Sequence, residues 1–106
     1  MADSPNGSFR FRVSDTVNVP LRVVMLRLKL VEGRPALSEL EPGETIRLVG
    51  PDGETRSAEV KALSVTGGRT TQKRLERNRQ LDVVISPEEA RGTGRPVEIG
   101  WFVVGD

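Results

Sequence analysis

The sequence predicts an all-β fold: a small antiparallel barrel of Greek-key type, with six to seven strands and one short helical turn. Three observations carry this. Apolar and polar residues alternate with a period of two through several runs, the mark of strands with one buried face. Turn-forming residues break those runs every ten residues or so, as in small barrels. The stretch from Leu40 to Val65 reads as a hairpin around Gly50-Pro51-Asp52-Gly53, and the flanking runs close around it.

In chain order, Met1 to Ser8 is small and polar and reads as a loose tail, so residues 9–106 form the single domain. Ser8 to Ser14 alternates Phe9, Phe11 and Val13 against Arg10 and Arg12, a strand with its aromatic residues inward. Asp15 to Pro20 is expected as a loop whose Val17 and Val19 pack under a barrel end. Leu21 to Val31 is a second strand, with Val24, Leu26, Leu28 and Leu30 on one face and Arg27 and Lys29 on the other. Arg34 to Leu40 is a short strand or crossing loop, and Pro42-Gly43 turns into the hairpin.

The hairpin has Pro where φ near −65° is wanted, Asp at a turn position, and Gly where φ turns positive. A turn of this length is typically type I closed by a Gly bulge. Its arms place Ile46 and Leu48, then Ala58, Val60 and Ala62, inward. Leu63 and Val65 fall out of phase, which points to a bulge or barrel bend near Ala62-Leu63. Arg69 to Gln80 has Leu75 as its only apolar residue, so no helical stripe is available to dock, and an exposed loop, with or without a fraying turn of helix, is expected. Gln80 to Ile85 resumes strand character. Ser86-Pro87-Glu88-Glu89 is a capping box with Pro at the first helical position, and Gly92 suits the exit. Pro96 to Val104 alternates again and is apolar on both faces near its end, as a strand is when it lies centrally in the sheet or is covered by something else.

The composition narrows the function classes. Sixteen basic and fifteen acidic residues leave a net charge of +1, which speaks against binding nucleic acid through bulk charge. With no Cys and no His, thiolate chemistry, disulfides and the commonest general base and metal ligand are absent. No catalytic, metal or cofactor site is therefore expected. No apolar run approaches transmembrane length and no apolar signal core is present, so a cytoplasmic setting without membrane contact follows as an expectation.

From Phe9-Arg10-Phe11-Arg12-Val13 through Leu40-Glu41-Pro42-Gly43-Glu44-Thr45-Ile46 to Pro87–Gly92, the order of elements resembles the β-barrel domain that follows the GTPase domain in translational GTPases such as elongation factor Tu. The resemblance spans residues 9–104. It implies the barrel fold as a stand-alone module and a role contacting tRNA or ribosomal RNA. Leu21-Arg22-Val23 stands where that family carries Gly-Arg-Gly, so Arg22 alone is shared, and no phosphate-binding P-loop is present.

The basic stretch Arg69, Lys73, Arg74, Arg77 and Arg79 places five cations in eleven residues. With Arg10, Arg12, Arg22, Arg27 and Lys29 on the first two strands it forms the candidate contact surface for a partner or for nucleic acid. Val49, Val84, Phe102 and Val104 fall at outward positions and would cluster as an apolar patch. The leading expectation is a non-enzymatic binding module that contacts a protein. The alternatives are an RNA-contacting accessory of translation and self-association through the patch. Glu39 and Glu41 share a face if extended, which reads as solvated surface. Gly67-Gly68-Arg69-Thr70 and Gly92-Thr93-Gly94-Arg95 are the stretches suited to an anion-binding nest.

Overall fold

A computed structural model describes residues 8–19, 23–63, 71–92 and 95–105. It has six strands: β1 (Phe9–Val19), β2 (Val23–Gly33), β3 (Thr45–Val49), β4 (Thr55–Glu59), β5 (Gln80–Ile85) and β6 (Phe102–Gly105). They form one antiparallel sheet in the order β4-β3-β6-β1-β2-β5, curled into a half-barrel. The all-β class read from the alternation is the one found. The last strand sits between β3 and β1, so of the two places its apolar faces allow, the central one is found.

The concave side holds the core. Phe11, Val13, Leu26, Leu28, Leu48, Val60, Val83, Trp101 and Val103 are all fully buried there. No buried residue among those described is polar or charged. The hairpin forms as its turn residues dictate. Gly53 has φ 86° and donates to the Gly50 carbonyl at 3.1 Å, while Gly50 donates to Glu54 at 2.8 Å. Beyond β4 the chain crosses to the far edge of the sheet. Lys61 donates to Val84 O at 2.7 Å and Val84 donates to Ala62 O at 2.8 Å, drawing the two edges together. That crossing is the bend expected near Ala62-Leu63, and Leu63 packs against the core from it.

Four expectations need correction. First, β1 does not end at Ser14. A register shift between Val13 and Asp15 absorbs Ser14, whose hydroxyl donates to Arg27 O at 3.2 Å, and pairing continues to Val19↔Val23. The bulge reverses the pleat, so Val17 turns outward and is 39% exposed rather than packed under a barrel end. Second, two α-helices form rather than one turn: α1 (Gln72–Asn78) and α2 (Pro87–Arg91). Two turns of helix need only one buried residue to dock, and Leu75 supplies it at 1% exposure. Third, Arg34 to Leu40 contains a 3-10 turn, Leu37–Glu39, so Glu39 and Glu41 are not aligned on an extended piece. Fourth, Pro96 to Val104 is not one strand. Trp101 N–H bonds Glu98 O at 3.1 Å in a turn around Gly100 (φ 101°), which leaves Ile99 57% exposed.

The helices close the ends. Thr71 caps α1 by accepting from Arg74 N–H at 3.1 Å, and Gln72 binds the 3-10 turn through Leu37 N–H and Pro35 O. Ser86 caps α2 by accepting from Glu89 N–H at 3.2 Å, as the capping box predicts. The Glu89 carboxylate reaches across to β4 and accepts from Glu59 N–H at 3.1 Å. Arg56, on the concave side of β4, lies over the Trp101 ring at 4.9 Å and donates to Ala90 O and Arg95 O at 3.0 and 2.7 Å. One guanidinium thus ties β4, α2 and the approach to β6 together. The tail through Gly7 and Val65 lie outside the described residues.

Candidate interaction face

The convex side of the sheet is where the sequence places its outward cations. Pairing across β3, β6, β1, β2 and β5 lines up Val49, Phe102, Arg12, Lys29 and Gln80 in one row. An adjacent row holds Arg47, Val104, Arg10 and Glu32. On the other side of the first row, Asp15, Arg27 and Asp82 face one another.

Charge on this face is settled locally where an acid is in register. Arg10 Nε lies 3.6 Å from Glu32 Oε1, and its guanidinium sits 5.3 Å over the Phe102 ring. Arg27 makes a two-pronged contact with Asp82, at 3.1 Å from Nε and 3.3 Å from Nη2. The hydrogen bond and charge of Asp82 hold the Arg27 pKa above the ordinary guanidinium value. Arg12 and Lys29 differ. They are exposed, stand directly opposite one another, and make no ion pair or side-chain hydrogen bond among the described residues. Like charges in register destabilise a sheet.

Three of the four apolar outward positions come together. Val49 pairs with Phe102, and Val104 lies one step along β6; each is half-buried. Val84 does not join them. It pairs with Met25 on one side and Ala62 on the other, and this double cover leaves it buried. Arg47 belongs to the face although sequence reasoning left it out of the contact residues; its outward place in the hairpin alternation is the signal that marks it.

The basic stretch ahead of β5 is split. Lys73, Arg74 and Arg77 are exposed on α1. Arg79 caps its end in the left-handed region (φ 55°), donates to Leu75 O at 2.8 Å, and accepts from Leu30 N–H at 2.8 Å. The next residue, Gln80, faces Lys29, so the end of α1 reaches the edge of the convex face. Beside it runs a shallow groove of about 300 Å³ between Gly33, Pro35, Leu75 and Arg79. Arg22 and Arg69 lie outside the described residues, as do Gly67, Gly68, Thr70, Thr93 and Gly94. Around Gly92, the carbonyls of Ala90 and Arg95 point at the Arg56 guanidinium. Among the described residues no cluster of acidic side chains could hold a metal ion, and no helix is long and apolar enough to cross a membrane.

No family model matches the chain, and no curated protein matches it. A solved structure, the siderophore-interacting protein from Acinetobacter baumannii, is similar at a TM-score of 0.44 and 15% identity. The match covers 91% of this chain and 39% of that one, so this chain spans well under half of that protein. Likeness at that level carries no functional weight here.

Proposed function

We propose that this chain is a non-enzymatic, cytoplasmic β-barrel binding module whose convex sheet face docks a protein partner. The observation that carries the reading is the row Val49, Phe102, Arg12, Lys29. Half-buried apolar side chains there adjoin two cations that lack any acid of their own. Apolar area flanked by unsatisfied charge is what a specific interface supplies from one side. The absence of His and Cys supports the non-enzymatic part. A protein is favoured over RNA because Glu32 and Asp82 already neutralise Arg10 and Arg27, and because the net charge is only +1. The likeness to the translation-factor barrel belongs to the same proposal, and there the barrel contacts RNA.

The test is site-specific photocrosslinking in native extract, with the crosslinker at Val49 or at Gln80 beside Lys29 and, for comparison, at Ser38. One defined protein adduct from Val49 and Gln80, and none from Ser38, is the expected result. RNA adducts at those positions would replace protein by RNA as the partner. Equal labelling from all three positions would refute the docking face.

A further inference from the structure

We infer that the docked partner is acidic: a protein segment that seats a carboxylate between Arg12 and Lys29 and an apolar side chain against Phe102. This rests on the convex face being the docking surface. The inference begins from how the face treats its other cations. Along the strands on either side of the pair, Arg10 has Glu32 and Arg27 has Asp82. Between them, Arg12 and Lys29 stand opposed with no acid in register; Phe102 and Gln80 occupy the neighbouring positions instead.

Side chains directly opposite in an antiparallel pair have Cβ atoms roughly 5 Å apart. One carboxylate above the two cations reaches both, forms charge-assisted hydrogen bonds, and cancels their mutual repulsion. The free energy of docking therefore includes relief of a strain already present in the free protein. The apolar end of the row sets the second requirement. From the Arg12–Lys29 midline to the Phe102–Val49 midline is two strand spacings, about 10 Å. The partner's acid and its apolar anchor are separated by that distance.

Other occupants fit less well. A twofold contact centred on the pair would set Arg12 and Lys29 against their own copies, so self-association here is repulsive. Phosphates could answer the cations, but two cations in a chain of net charge +1 give a polyanionic backbone little else to bind.

The probes are poly-L-glutamate, a random glutamate–tyrosine copolymer and polyuridylate, with binding followed by fluorescence anisotropy at low and moderate salt. The copolymer is expected to bind more tightly than poly-L-glutamate, with affinity falling as salt rises. Arg12→Glu and Lys29→Glu should each weaken it about tenfold or more, Arg12→Gln less, and Arg91→Glu should leave it unchanged. Arg12→Glu should also raise the melting temperature, so lost binding with gained stability excludes misfolding as the cause. Preference for polyuridylate, indifference to Arg12 and Lys29, or no binding of either acidic polymer at low salt would each overturn the inference. If crosslinking from Val49 persists while charge reversal has no effect, the acidic partner is wrong and the docking face stands. If crosslinking is also lost from the face, both fall.

Discussion

Leu75→Ala is the substitution on which the placement of the basic helix turns. Leu75 is the one buried residue of α1 and is 1% exposed. Seven residues of helix are too short to persist in water without a packed face. Removing the anchor should cost about 2–5 kcal/mol, the range for a buried Leu cut to Ala. If α1 undocks locally instead of leaving a cavity, the loss stops at its docking free energy, toward the lower end. For a domain near this size each kcal/mol lowers Tm by roughly 4–8 °C, so a fall of about 8 °C or more is expected. Thermal unfolding measures the total. Hydrogen exchange locates it: amides 72–79 and Leu30, whose N–H bonds Arg79 O, should lose protection first. A loss under about 0.5 kcal/mol with protection of 72–79 unchanged would refute the anchoring, since surface substitutions fall in that range.

Arg56→Lys keeps the charge but cannot stack on Trp101 and reach both Ala90 O and Arg95 O; a loss of about 1–3 kcal/mol is expected in denaturant titration, with a changed near-ultraviolet Trp signal. Gly92→Ala should cost about 1 kcal/mol or more, because Gly92 has φ 59° and an added Cβ would lie 2.5 Å from the Arg56 guanidinium carbon. Combining it with Arg56→Ala should recover part of that loss, and strict additivity in the double-mutant cycle would count against the clash. Ser86→Ala should cost about 1 kcal/mol by removing the α2 cap. Lys29→Glu should stabilise by roughly 0.2–1 kcal/mol, a gain that shrinks as salt screens the pair.

What the sequence made legible was what is decided locally. The Gly50–Gly53 turn, the Ser86 cap and the inward sets of β1 as far as Val13 and of β2 to β5 each follow from a few neighbouring residues. The course of α1 was hidden because a two-turn helix with one buried Leu shows no stripe. Thr71 at its cap and helix-favouring Gln72 to Glu76 were the available signals, while the left-handed exit at Arg79 is not written as Gly. The Ser14 bulge was invisible because it lies in the pairing with β2, which runs on to Val19 after the pairing with β6 has ended at Arg12. On the face, outward cations were readable from alternation, but which of them found an acid was not. Arg10 meets Glu32 and Arg27 meets Asp82 only through registers joining residues 22 and 55 positions apart.

That difference bears on why Arg12 and Lys29 matter. Local choices in this chain mostly agree with the fold: apolar residues face the core, helices begin on caps, and turn glycines take the positive φ their turns require. Against that background a directly opposed cation pair is a conflict, and conflicts of this kind concentrate where something other than stability is selected. A single change of Lys29 to Glu would remove it without touching the core, since the side chain is exposed and its backbone pairing is independent of charge. If Lys29→Glu gains stability and loses acidic-polymer binding in the same protein, the repulsion is the stored part of an interface. If stability is unchanged, the pair is merely solvated, and the convex face has no charge-based claim on a partner.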